Sequence, residues 1–162
     1  MSRLDSFIRR MEAQRSCLNW AAAQVEGLPG PVLELGLGNG RTYDHLRELL
    51  PGRAIHVFER RVACHPDCVP PPGRLFLGEV AETLPQAAAA LGRTAALIHT
   101  DLGTGDRTVN EALASAMAPA LAALLTAGGV CVANHELAVE GWTPQPPPDD
   151  VPLGRYFLYR AG

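Results

Sequence analysis

The chain contains no lysine; all fourteen of its basic residues are arginine. That absence excludes Schiff-base chemistry and any phosphate-binding loop built on a lysine. Positive charge is not in surplus either. Seventeen acidic residues against fourteen basic ones leave a net charge of −3, which carries no electrostatic footprint for nucleic acid or an anionic membrane. No apolar run is long enough to cross a bilayer, and the stretch from Met1 to Arg15 is too charged for a secretion signal. These absences predict a cytoplasmic protein with neither membrane nor nucleic-acid partners. Cysteine is scarce, four in 162 residues, and in that compartment it is expected to be reduced. Cys64 and Cys68 flank His65 in ACHPDC. Their spacing is not that of a strong zinc motif and no second Cys/His pair lies nearby, so no metal is expected.

About half the residues are apolar and a fifth are charged, which suits one domain over residues 1–162 with a substantial core. No internal repeat is present. Leu4, Phe7, Ile8, Met11, Leu18, Ala21, Ala22 and Val25 recur at helical spacing and predict a helix over residues 4–26. Beyond it lies a core region, 31–162, in which apolar strands alternate with helices. Strands are predicted at 32–35, 54–59, 74–77, 95–100 and 130–134. Helices are predicted at 41–50, at 80–91 with Pro85 kinking it, and from an Asp106 cap to about Thr126, ended by Ala127-Gly128-Gly129. The proline-rich stretch 141–152 reads as irregular, with Gly141, Trp142 and Thr143 expected to wall an acceptor pocket. Residues 155–160 read as a last strand.

This alternation predicts an α/β fold, a doubly wound parallel sheet covered on both faces. Only about twenty residues separate Asn134 from Arg155. A parallel crossover helix does not fit in that length. The last strand is therefore predicted antiparallel, beside the fifth, at an exposed sheet edge. Exposed edges invite association, so a homodimer or higher homo-oligomer is expected.

In such a sheet ligands sit at the carboxyl ends of the strands. The first strand, VLEL, runs into Gly36, Gly38 and Gly40. Glycines let backbone approach a ligand closely, and the helix starting near Arg41 aims its N–H groups at the same place. The spacing is G-x-G-x-G, whereas dinucleotide loops use G-x-G-x-x-G, so a pyrophosphate is a poorer match. Acids accompany the loop: Glu34 within the first strand, Glu59 ending the second, Glu79 after the third and Asp101 after the fourth. A ring of carboxylates repels phosphates and suits a cationic nucleoside. An acid after the second strand commonly takes a ribose diol.

VLELGLGNG resembles the first motif of class I S-adenosylmethionine-dependent methyltransferases. HVFER, GEV followed by ETLP, Asp101 and LLTAGGVCVAN resemble that family's later motifs in order, over about residues 31–134. The chain looks closest to short bacterial stand-alone members of this superfamily. The resemblance implies a doubly wound Rossmann-like methyltransferase fold; the full family fold has a further helix and strand after strand five, so this chain departs from it and is expected to be truncated there, with five parallel strands plus one antiparallel C-terminal strand. It implies S-adenosyl-L-methionine as cofactor. The backbone of Gly36, Gly38, Asn39 and Gly40 would pass beside its methionine part and ribose. Glu34 would orient the loop and the amino group, and Thr42 the carboxylate. Glu59 would hold the ribose hydroxyls, with Arg60 alongside the adenine. Glu79 and the Val80 backbone would read the adenine.

No Asn-Pro-Pro-Tyr-like motif follows the fourth strand, which argues against methylation of nucleobases or glutamine. Metal-assisted O-methyltransferases place an acid after that strand and an Asp-Asn pair after the fifth. Here Asp101 and Asn134 stand in those places, but Ala133 replaces the second acid. Methyl transfer needs a general base only if the acceptor must lose a proton. His135 and Asp101 are the catalytic candidates, while His99, inside an apolar strand, reads more simply as a satisfied core histidine. With no appended domain for a macromolecule, a small-molecule acceptor is expected. Two other readings stay open: a module that binds S-adenosylmethionine or S-adenosylhomocysteine without catalysis, and a dinucleotide-dependent oxidoreductase, which the glycine spacing weakens.

Overall fold

The computed structural model describes residues 1–162. Helix α1 (Arg3–Gln24) starts at a capping box in which Ser2 Oγ accepts from Asp5 N at 3.0 Å and the Asp5 carboxylate accepts from Ser2 N at 3.1 Å. Strand β1 (Val32–Leu35) is buried throughout, and helix α2 (Arg41–Leu49) follows the glycine loop. Then come β2 (Ile55–Glu59), β3 (Leu75–Leu77), α3 (Val80–Leu91), β4 (Ala95–Thr100), α4 (Arg107–Leu124), β5 (Leu125–Ala133), β6 (Trp142–Gln145) and β7 (Phe157–Ala161). Asp106 caps α4 by accepting from Val109 N at 3.1 Å. Helix α3 runs through Pro85 without a break.

The seven strands form one sheet in the order β3-β2-β1-β4-β5-β7-β6. β1 to β5 are parallel; β7 pairs antiparallel with β5, and β6 antiparallel with β7. Chain order reverses between β1 and β4, so the loops after these two strands diverge and leave a crevice. Side chains alternate across the sheet. Val32, Val57, Leu97 and Val132 pack beneath α1 and α2, whereas Leu33, Leu35, Phe58 and Ile98 pack against α3 and α4.

Three expectations need correction. The sheet has a seventh strand, because β6 forms inside the proline-rich stretch. An edge strand hydrogen-bonds on one side only and so tolerates Pro144. The sheet edge is therefore β6, and β7 lies inside it. Finally, Gly128 and Gly129 do not end α4: the helix stops at Leu124, and both glycines lie within β5, where the register with β4 shifts between Ala95 and Leu97. A Cβ on Gly129 would stand 3.0 Å from Ala96 O, so this glycine marks a close backbone approach.

Candidate active site

The crevice opens into a cleft of about 600 Å³ at the carboxyl ends of β1, β2 and β4. Its floor is the glycine loop. Gly36 has φ +95°, and a Cβ there would lie 2.8 Å from Asp101 O, so only glycine lets the loops after β1 and β4 touch. Gly40, with φ +86°, caps α2, and a Cβ there would meet Cys68 Cβ at 2.4 Å. Cys68 is thus a buried packing residue behind the loop. No set of three His, Cys, Asp or Glu side chains gathers anywhere to hold a metal.

Glu59 ties this floor together. Its Oε2 accepts from Leu37 N at 2.9 Å and Gly38 N at 3.2 Å; its Oε1 accepts from Arg60 N at 2.8 Å and Arg61 N at 3.3 Å. Burial works to raise its pKa, but these four N–H groups outweigh it and hold the carboxyl below its usual range. Gly36, Gly38, Asn39, Thr42, Glu59, Arg60, Glu79, Val80 and Asp101, nine of the sequence-predicted residues, all line the cleft. Arg60 and Glu79 approach each other at 3.9 Å.

Two predicted residues stand behind the wall, and one stands beside it. Gly40 shapes the loop without lining the cleft, and neither does Glu34, which is fully buried. Both Glu34 oxygens are consumed: Oε1 accepts from Thr42 Oγ1, and Oε2 accepts from His99 Nδ1 at 2.7 Å. Glu34 thus holds the loop through Thr42 and does not itself line the cleft; the part expected for it toward the cofactor's amino group, partly through water, stays a proposal. His99 is the satisfied core histidine its strand suggested. Burial works to lower its pKa, but the Glu34 carboxylate, its hydrogen bond and the Asp101 charge carry it above the ordinary value.

Sequence reasoning missed two residues, both on α1. Gln14, buried, donates to Asp101 Oδ2 at 2.9 Å and presents its other N–H to His99 Nε2 at 3.5 Å. Arg10, one turn earlier, donates to both Asp101 oxygens at 3.0 Å. A continuous polar chain thus runs Thr42–Glu34–His99–Gln14–Asp101–Arg10. The signal was present in part. A buried carboxylate requires partners, and an apolar helix with polar residues at i and i+4 can supply them from one face.

His135 lies in a second, adjoining pocket of about 260 Å³ that shares Arg10, Asp101 and the loop Leu102–Thr104 with the cleft. Arg155 and Tyr156 complete its far wall. Gly141, Trp142 and Thr143, expected to wall an acceptor pocket, do not line this one: Trp142 belongs to β6 and packs on Tyr159, ring centroids 6.0 Å apart. Asn134 is occupied by the loop, donating to Leu102 O at 2.7 Å.

A family model described as S-adenosyl-L-methionine methyltransferase matches residues 1–161. No curated protein matches the chain. Among solved structures, an S-adenosyl-L-methionine methyl transferase from Silicibacter pomeroyi is 49% identical, with a TM-score of 0.94 over 100% of this chain and 99% of that one. Human methyltransferase-like protein 13 in complex with SAH aligns at 14% identity and a TM-score of 0.59, covering 94% of this chain and 81% of that one. The sugar N-methyltransferase KedS8 from Streptoalloteichus aligns at 18% identity and a TM-score of 0.52, covering 89% and 60%. The last two likenesses concern the fold.

Proposed function

Since the chain belongs to the S-adenosyl-L-methionine methyltransferase family, with S-adenosylmethionine as its methyl donor, we propose that it methylates a small molecule seated in the pocket beside the cleft. The observation that carries this reading is the shared wall. Asp101 and the loop Leu102–Thr104 border both the cleft and the smaller pocket, so two ligands placed there meet. The cleft's volume falls within the range of small-ligand sites, and the acids around it suit a cationic nucleoside.

The bound donor supplies an electrophilic methyl group on a sulfonium. Every other contribution is this chain's. The backbone of Gly36, Gly38 and Asn39 flanks the methionine part and ribose. Glu59, which accepts its two longer bonds from Gly38 and Arg61, would take the ribose hydroxyls. Arg60 and Glu79 border the adenine, with Val80 closing its apolar side. Glu34, Thr42 and Gly40 act through the loop they position. Asp101 is already clamped by Arg10 and Gln14 and serves as the fixed charge between the two ligands. That leaves His135, whose ring makes no hydrogen bond, as the base wherever the acceptor must lose a proton. Alignment of nucleophile and methyl accounts for the rest of the acceleration.

The proposal extends to assembly and location. Self-association is supported by Leu4, Phe7 and Ile8, which are 66%, 46% and 44% exposed along α1. A cytoplasmic setting is supported by four unpaired cysteines; no helix is long and apolar enough to cross a membrane. The test of function is transfer of labelled methyl from S-adenosylmethionine into a metabolite extract. Label in a low-mass product supports the proposal. Tight S-adenosylhomocysteine binding with no labelled product would make the chain a binding module instead.

A further inference from the structure

The pocket beside the cleft contains more polar groups than it leaves free, and the balance indicates what it takes. Asn110 is consumed by Thr104, accepting from its N at 2.7 Å and donating to its O at 2.9 Å. Asn134 is consumed by Leu102 and Thr100. The only carboxylate in the wall, Asp101, is neutralised by Arg10 and saturated further by Gln14. The Tyr156 hydroxyl, its pKa pushed up to about 12 by burial and then by Asp101, remains protonated and lies beside the Arg10 guanidinium.

Two groups remain. Arg155, half-buried, lines the pocket, yet its guanidinium enters no ion pair with any carboxylate; the hydrogen bond this residue makes runs from its backbone N–H to Pro152 O. The His135 ring also lines the pocket without a hydrogen-bond partner. Its Nε2 lies 3.0 Å from the point where a Cβ on Gly103 would stand, so the glycine keeps open the space in front of the ring. What the pocket offers a ligand is therefore a permanent cation and an imidazole ring with no partner of its own. In a chain with no lysine, Arg155 is this pocket's uncompensated positive charge.

We propose that this pocket is an oxyanion site and that the methyl acceptor is a small molecule bearing a carboxylate or phosphate group, held by Arg155, with its nucleophilic atom turned toward His135 and the cleft. A guanidinium matches either oxyanion with two parallel N–H bonds. The pocket admits a metabolite of a few heavy atoms beyond that group, and its position places the acceptor's free end at the shared wall. Identification of the anion as an acceptor rests on the methyltransferase reading; the anion site itself does not.

The experiment is calorimetric titration of malonate and, separately, inorganic phosphate into the full chain, with and without saturating S-adenosylhomocysteine. Wild type should bind one of the two with a dissociation constant on the order of millimolar, and whichever binds distinguishes a carboxylate from a phosphate acceptor. Because the Arg155 side chain makes no hydrogen bond or ion pair within the chain, Arg155→Met should fold normally and keep S-adenosylhomocysteine affinity within about twofold, while losing about tenfold or more in anion affinity, the weight of a charge-assisted bond. The labelled product from a metabolite extract should then be retained on an anion exchanger. Anion binding that is absent in wild type, or equal in Arg155→Met, overturns the site. Label confined to the unretained fraction overturns the acceptor class. An anion bound by a chain that ignores S-adenosylhomocysteine keeps the site and sinks the donor reading.

Discussion

Glu59 accepts four backbone N–H groups from two sides of the cleft floor, which makes it both a loop clasp and the proposed ribose ligand. Glu59→Ala should therefore weaken S-adenosylhomocysteine binding by more than about tenfold, the loss of at least one charge-assisted interaction; an unchanged calorimetric constant would refute the ribose role. Its depressed pKa also fixes the sign of an acid response. A carboxyl lowered on folding adds stability that is complete above its unfolded value, near 4.5, and is lost as pH falls through the folded value. The difference in Tm between wild type and Glu59→Gln should be full at neutral pH and shrink on acidification below about 4.5; a difference that grows on acidification contradicts the assignment. The buried Glu34–His99 pair behaves differently, because removing one partner strands the other. His99→Leu should cost about 3–5 kcal/mol in urea unfolding. The sequence marked Glu34 as odd, a charge in a core-like strand, and placed His99 in the core. It did not show that they are neighbours, because that depends on the β1–β4 register, Glu34 opposite His99, which only the assembled sheet defines.

At the scale of elements, α1 is the piece whose role was least visible. Its apolar periodicity was plain, and the same periodicity concealed Arg10 and Gln14, which share one side of the helix and reach Asp101 just past the end of β4. Arg10→Met should release the first half of α1. Amide exchange over residues 3–12 should rise by about tenfold while the β1 and β4 amides keep their protection; uniform acceleration would mean that the variant has lost global stability instead. The parallel core was legible because its strands are short apolar runs, and the first four end at or run into a glycine or an acid: Gly36, Glu59, Gly78 and Asp101. The C-terminal region was less so, for two physical reasons. Glycine ends helices and also permits close strand contacts, and at Gly129 the second use prevails. Proline forbids central strands but not edge strands, and Pro144 sits on the edge.

For the whole molecule, β6 now guards the side where association was first expected, and an edge interrupted by proline is a poor template for a second sheet. The exposed apolar residues of α1 are the better candidate. Light scattering should give a mass of two chains, falling to one when Phe7 and Ile8 are both replaced by serine; a wild-type monomer refutes self-association. The cleft entrance bears on this, because Phe7 also lines the cleft, next to the Arg41 guanidinium at 5.8 Å from its ring.

Arg10 belongs to both pockets, and that has a thermodynamic consequence. A ligand that engages Arg10 from one side would change what that arginine offers the ligand on the other side. Linkage then requires the benefit to be mutual: whatever factor the donor adds to the acceptor's affinity, the acceptor returns to the donor's. One arginine, shared by two neighbouring cavities, would make donor and acceptor each other's effectors.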